Sequence, residues 1–258
     1  MDRAIEDAAA ILVASQHAIA MTGAGVSVES GIRPFRGPDG LWTEYGEPSM
    51  DDYQQFLADP KADWERRLRR DGYLKELYDA LEKARPNPAH LGLAELEELG
   101  IVKYLITQNV DNLHRLAGSK AVAEIHGNFI RLRCIQCNRR YEWDQISLEE
   151  LPPACPECGG IVKSDVVVFG EPIPTDVAQA CLTEVQRADC LLSVGTSAFV
   201  YPAAGFPRRV KMRGGLLIEI DPHETELSPL CDVSIRQNAG EALPKLVQAV
   251  KTALRGRE

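Results

Sequence analysis

Apolar residues recur along this chain in two rhythms. Across residues 2–15, Ile5, Ala8, Ala9 and Leu12 fall at helical spacing and predict a helix. Residues 17–21 form a short apolar run that predicts a strand and leads straight into Thr22-Gly23-Ala24-Gly25. Pro34, Gly37, Pro38 and Gly40 then mark a loop. Residues 60–82 are helical in pattern and rich in charge, and Pro86 and Pro88 end them. A helix over 89–100, stopped by Gly100, precedes a strand over 102–106. Apolar runs at 166–169, 190–194 and 216–220 predict three more strands, with helices over 176–188 and 240–255.

Strands alternating with helices predict an α/β fold: a Rossmann-like, mainly parallel sheet with helices on both faces. In such sheets ligands bind beyond the carboxyl ends of the strands. The polar motifs fall there, at residues 23–25, 108–111 and 195–197 and at Asp221. The segment 127–161 interrupts the alternation. It carries Cys134-x-x-Cys137 and Cys155-x-x-Cys158, separated by seventeen residues, which is the spacing of a zinc ribbon. Two close pairs on two turns let four thiolates converge on one tetrahedral Zn2+ at about 2.3 Å. Four thiolates leave no open position, so the ion is expected to be structural. Two disulfides, or a redox Cys-x-x-Cys, are the competing reading. Cys181, Cys190 and Cys231 sit singly in apolar surroundings and are expected to pack as small core residues. The larger domain is expected to comprise 1–38, 88–126 and 162–258. A helical insert at 39–87 and the zinc-ribbon insert at 127–161 would form the smaller domain.

Composition narrows the function. Among 258 residues, 38 acidic and 29 basic side chains give a formal net charge of −9. Binding to nucleic acid needs a surplus of Lys and Arg along one face, so no direct nucleic-acid binding is expected. The arginines around the cysteines, Arg131, Arg133, Arg139 and Arg140, are too few to decide otherwise. The apolar start of the chain is broken by Ser15, Gln16 and His17 and is too short to span a bilayer. It also lacks the basic segment and cleavage site of a secretory signal. A cytoplasmic protein without a membrane partner is expected.

Three motifs carry candidate chemistry. Gly23, Ala24 and Gly25 follow a strand, where missing side chains let backbone N–H groups approach a pyrophosphate. Val28 stands where the third glycine of the dinucleotide fingerprint belongs, so a plain tight turn remains open. Gln108, Asn109 and Asp111 offer amide, amide and carboxylate groups suited to a ribose or a nicotinamide. Helix capping by Asn109 or Asp111 is the alternative. His126 precedes Gly127 at the start of the cysteine segment. A lone histidine is more often structural than catalytic, and His17, His90, His114 and His223 are read that way.

Together the motifs resemble the sirtuin (Sir2-like) family of NAD-dependent protein deacylases. The matching stretches are GAGVSVESGIRPFRG (23–37), TQNVDNLHRLAG (107–118), EIHGN (124–128) and the two Cys-x-x-Cys pairs, then VVFGE (167–171), GTSAFVYPAA (195–204) and IDPHET (220–225). They keep this order over nearly the whole chain. The resemblance implies that NAD binds between the two domains and that an acyl-lysine of a protein or peptide enters the same cleft. Nicotinamide and O-acyl-ADP-ribose would be the co-products. It places Gly23, Ala24 and Gly25 at the diphosphate, and Phe35 and Arg36 on a loop over the cofactor. Gln108, Asn109 and Asp111 would line the ribose and nicotinamide pocket. Gly195, Thr196 and Ser197 would hold the diphosphate and adenosine, with Asp221 near the adenosine ribose and Ala239 completing the cofactor set. Val167, Phe169, Gly170, Glu171 and Val200 would form the peptide tunnel. His126 matches the catalytic base that activates a ribose hydroxyl, a task for which imidazole titrates in the right range, and Asn109 joins it in the reaction.

Three positions depart from the pattern. Arg33-Pro34 replaces Pro followed by a small polar residue, and Asp221 stands where many relatives carry Asn. Arg67 and Arg70 fall where one subgroup, active on succinyl and malonyl groups, carries Tyr and Arg. Two guanidinium groups would favour an acidic acyl chain by charge-assisted hydrogen bonds; a solvated helix face is the other reading. Protein ADP-ribosyl transfer from the same pocket is the alternative activity. A nucleotide-sensing module without catalysis is disfavoured because a binder needs no base at His126.

Overall fold

The computed structural model describes residues 2–37 and 39–256. Its strands are β1 Ala18–Thr22, β2 Val102–Thr107, β3 Val122–Glu124, β4 Arg131–Cys134, β5 Arg140–Glu142, β6 Val162–Ser164, β7 Cys190–Val194, β8 Leu216–Ile220 and β9 Val233–Ile235. The helices are α1 Arg3–Ala14, α2 Leu41–Tyr45, α3 Asp52–Ala58, α4 Pro60–Arg69, α5 Tyr73–Lys83, α6 Pro88–Glu98, α7 Leu113–Leu116, α8 Thr175–Arg187, α9 Gly205–Met212 and α10 Ala239–Arg255. Six strands form a parallel sheet in the order β3-β2-β1-β7-β8-β9. Along β1 successive side chains point to opposite faces. Ala20 lies in the core under α1, α6 and α10, with Leu12, Leu93 and Leu246. Ile19 and Met21 lie in the core under α8 and α9, with Val185 and Phe206. Every residue of β1 is buried, which explains its unbroken apolar sequence.

From β1 the chain steps outward to β2 and β3, then returns to the other flank of β1 with β7. The strand order therefore reverses between β1 and β7, and in such sheets ligands bind beyond the carboxyl ends of the strands at that point. Most of the predicted elements are present with small shifts at their ends. The helical pattern over 60–82 is two helices, because Arg70 and Gly72 take positive φ of 55° and 60° and turn the chain between α4 and α5. The run at 166–169 belongs to no sheet, against expectation. Its backbone groups bond instead to the His126 carbonyl, to Glu171 and to Lys163. Apolar composition matched a buried strand, but ladder partners are set by the rest of the chain.

A second, three-stranded antiparallel sheet, β5-β4-β6, carries the cysteines. Its third strand, Val162–Ser164, lies just past the boundary expected at 161. The four Sγ atoms all lie within 4.8 Å of one another, with Cys134–Cys158 at 3.6 Å and Cys137–Cys155 at 3.7 Å. A disulfide needs about 2.05 Å, whereas a tetrahedral Zn2+ with bonds of about 2.3 Å sets its sulfurs roughly 3.8 Å apart. The sulfurs fit the zinc. Cys134 and Cys155 also belong to the module's core, with Trp64, Leu132, Tyr141 and Val162 beside Trp143. Trp64 comes from α4, and its Nε1 donates to the Val162 carbonyl at 2.9 Å, which ties the helical insert to the small sheet. Cys181 and Cys190 are buried in the large domain and Cys231 is half-buried, as expected for core thiols.

Two histidines lie against each other in the interior, His90 and His114, with ring centroids 4.8 Å apart. His90 closes a capping box with Asn87 at the start of α6. Burial lowers the pKa of both, His90 to about 4. For a base with a depressed folded-state pKa, the unfolded chain takes up the proton first as pH falls. The stability of the neutral pair is therefore full above pH 6.5 and is lost between there and about 4. His90 alone accounts for about 3 kcal/mol over that window. The urea midpoint is expected to fall between pH 7 and pH 5, and a flat profile there would contradict this. Chelation of the zinc is expected to shift Trp64 and Trp143 emission to the red as the small core opens; unchanged emission after stoichiometric zinc release would contradict a folding role for the metal.

Candidate active site

Two backbones meet where β1 and β7 end. Gly25 N–H donates to the Gly195 carbonyl at 2.9 Å, and Gly23 N–H to the Val194 carbonyl at 3.2 Å. A Cβ added at Gly25 would sit 2.7 Å from Gly195 Cα, and one at Gly195, whose φ is +57°, would sit 2.4 Å from Val26 N. Only glycine fits there. After Gly23 the chain enters a 3-10 helix, Ala24–Ser30, instead of a full α-helix. The result is a floor of bare backbone at the point where the sheet order reverses, which suits a dinucleotide diphosphate. Thr196 is buried and Ser197 is exposed at the rim.

Residues 108–111 leave β2 and run along this floor. Gln108 Nε2 donates to Thr196 Oγ1 at 2.8 Å, crossing from the β2 loop to the β7 loop. Asn109 Nδ2 donates to the Gly23 carbonyl at 3.1 Å and to Ser27 Oγ at 2.9 Å. Ser27 Oγ donates to Asp111 Oδ2 at 2.6 Å, while Asp111 Oδ1 accepts the Leu113 N–H at 2.9 Å. Asp111 is not the N-cap of α7, a place held by Asn112; one oxygen accepts the first helical N–H from the residue before the cap, and the other bonds to Ser27. Burial pushes the Asp111 carboxyl up, partly offset by those two bonds. Behind them Thr107 Oγ1 accepts the Asn109 N–H and a bond from Thr22 Oγ1, and Thr22 meets His114 Nε2 at 2.9 Å. Asn109 is therefore held at three points.

His126 lies between the large sheet and the small module. Its Nδ1 is 3.1 Å from the Gln108 carbonyl. A carbonyl can only accept, so the proton sits on Nδ1, and Nε2 keeps its lone pair. Nε2 has no protein partner among the described residues. Burial lowers the His126 pKa, with the Gln108 bond acting in the opposite sense. The imidazole is a neutral base at neutral pH, aimed away from its anchor.

Aromatic rings close one side. Phe35 packs on Trp42 at 4.7 Å and Trp42 on Phe169 at 5.5 Å; Arg36 lies 4.7 Å over Trp42 and pairs with Glu47 at 2.9 Å. The expected cofactor loop is thus linked to the expected peptide segment through Trp42. On the far side Asp221 ends β8 and accepts the His223 N–H at 3.0 Å, and burial raises its carboxyl pKa. Ala239 is buried at the first turn of α10.

Val167, Phe169 and Val200 are part-exposed and Gly170 is exposed. Val167 N–H donates to the His126 carbonyl at 2.9 Å, which seats the segment beside the base. Among the described residues, nothing bonds to the Val167 carbonyl or the Phe169 N–H. Glu171 differs from its neighbours: its carboxylate is buried against Arg133 and Lys163 and is closed to a ligand. Arg67 bonds to Asp63 at 2.7 Å beside a narrow cavity of about 30 Å3 lined also by Tyr73, Lys163 and Val168. Arg70 does not join it. It pairs with Glu82 at 2.8 Å and lies 4.4 Å over Tyr78. Ser27 and Arg133 carry no signal of these roles in the sequence, because Asp111, Asp165 and Glu171 are distant from them in the chain, whereas the partners of Lys163 lie one to eight residues away.

Comparison with known proteins agrees with this geometry. A Sir2 family profile matches residues 23–202. The NAD-dependent protein deacylase 2 of Pyrobaculum aerophilum is 43% identical over 248 residues, covering 96% of each chain. A solved Sir2 homologue in complex with NAD superposes with a TM-score of 0.80 at 44% identity, over 96% of this chain and 94% of that one. A Sir2 structure holding a p53 peptide and NAD+ gives 0.76 at 30% identity, over 95% and 97%. The chain belongs to the Sir2 family of NAD-dependent protein deacylases.

Proposed function

We propose that the chain removes acyl groups from lysine side chains of proteins or peptides, consuming NAD and releasing nicotinamide and O-acyl-ADP-ribose. The observation that carries this reading is the pairing of His126 with Val167. A neutral base with a free Nε2 stands next to a segment outside any sheet whose Val167 carbonyl and Phe169 N–H await a partner. An extended peptide satisfies such groups by strand addition. NAD, when bound, supplies the electrophilic ribose carbon; the bare backbone at Gly23, Gly25 and Gly195 suits its diphosphate, and Asn109 and Asp111 its ribose and carboxamide. His126 then takes the proton of a ribose hydroxyl, and the Gln108 carbonyl steadies the imidazolium that results. The zinc supplies no step, since all four positions around it are thiolates. Three free core thiols fit a reducing compartment, the cytoplasm.

A free peptide edge also favours deacylation over ADP-ribosyl transfer, which needs no acyl-lysine seat. Labelled NAD incubated with protein acceptors separates the two. For the acyl chain, Arg67 is already engaged by Asp63 and Arg70 by Glu82, and a cavity of about 30 Å3 has room for about one or two waters. We therefore read short, uncharged acyl groups as the preferred substrates over succinyl and malonyl.

H126A is expected to lower kcat by about 10^2-fold or more with the fold unchanged; deacylation near the wild-type rate sinks the assignment. Because burial lowers the His126 pKa, the acid limb of kcat/KM is expected below pH 6.5, with the base fully available above it. Acetyl-lysine peptide should exceed succinyl-lysine peptide by about tenfold in kcat/KM, and D63N should narrow that gap by freeing Arg67. A succinyl preference in the wild type contradicts this.

A further inference from the structure

Arg133 and Lys163 stand directly opposite each other across β4 and β6. Both cations are buried, with side chains 3% and 1% exposed. Like charges in register repel, and each ion removed from water loses several kcal/mol of solvation. Buried ionic clusters of this kind are often no more stable than apolar residues of the same volume. Stability therefore does not account for the pair, and the destination of its bonds does. Lys163 Nζ donates to the Ser164 carbonyl at 2.9 Å, the Val166 carbonyl at 2.7 Å and Glu171 Oε2 at 3.0 Å. Arg133 donates to Asp165 Oδ1 at 2.9 Å, to Glu171 through its other end, and to Asn138 Oδ1 at 3.2 Å. Glu171 Oε2 accepts the Val168 N–H at 3.0 Å, and Arg140 adds a bond to Asp165 at 3.2 Å.

All of these bonds but the one to Asn138 end on the segment 164–171. They occupy backbone groups at Val166 and Val168, while the Val167 carbonyl and the Phe169 N–H stay open. We infer that Arg133 and Lys163 are positioning residues for the acyl-peptide: from the small module they hold 166–168, outside any sheet and ahead of the turn at 168–171, as an edge for the substrate backbone. The inference rests on the deacylase reading above. Peptide affinity depends on these cations, and NAD affinity does not, since neither touches the glycine floor.

Two variants separate positioning from mere support. K163M leaves Glu171 half-compensated, so both the Tm and the peptide affinity should fall. K163M/E171L removes the lysine together with its carboxylate and leaves Arg133 paired with Asp165. In the double variant the Tm is expected to recover and the zinc content to be full. The KM for acetyl-lysine peptide should stay about tenfold above wild type, with the KM for NAD within about threefold. Recovery of the peptide KM together with the Tm overturns the inference. Amide exchange without peptide gives an arm that needs no activity. Exchange of the Val167 amide, which is bonded to the His126 carbonyl, should quicken about tenfold or more in the double variant, and unchanged protection overturns the inference. A wild type that releases no nicotinamide with acyl-peptide present would count against the deacylase reading alone.

Discussion

Two strand ends brought into backbone contact set the terms for everything around them. β1 and β7 lie side by side in the sheet although most of the chain separates them, and the turns after them touch through Gly25 and Gly195. No side chain fits between the two turns. That exclusion keeps side chains out of the gap between the turns, where the Gly23, Gly25 and Gly195 N–H groups bond to the Val194, Gly195 and Ile220 carbonyls. It also fixes the neighbours. Gln108 reaches Thr196 because the β2 loop lies across the same floor, and His126 is oriented by the Gln108 carbonyl. The base inherits its aim from a glycine contact it never touches.

Polar burial around the floor follows a consistent logic. Asn109, Ser27 and Asp111 bond to one another and to the glycine loop, while Thr22, Thr107 and His114 lie beneath them. Such a network is stabilising only when its members are satisfied, and it is nearly so: among its members, His114 Nδ1 is the exception. A neutral imidazole with an unprotonated, unpartnered Nδ1 is a lesser cost than a buried imidazolium, which explains why both interior histidines are held neutral. The substrate side uses charge instead, at Arg133, Lys163, Asp165 and Glu171, and every charge there is paired.

Local signals in the sequence carried the framework and the metal. Cysteine spacing foretold a cluster of four sulfurs because the two turns that hold them are short and self-contained. The apolar runs foretold β1, β7 and β8 because strands buried on both faces need no alternation. The same rule misled at 166–169, where the run is apolar but half-exposed and unpaired. Ser27 could not have been singled out, since its meaning depends on Asp111, 84 residues later. Arg67 and Arg70, three apart on a presumed helix face, should have pointed the same way. The left-handed turn at Arg70 ends α4 and sends it toward Glu82 instead.

The small module is interrupted in sequence yet complete early in it. Trp64 arrives on α4, the cysteines and β4, β5 and β6 follow, and all are in place by Ser164. The large sheet at that point has only β1, β2 and β3, and β1 still lacks β7 on its open flank. A chain emerging from the ribosome meets these segments in that order. The metal centre thus has all its parts in the emerging chain while the large sheet still waits for β7, β8 and β9.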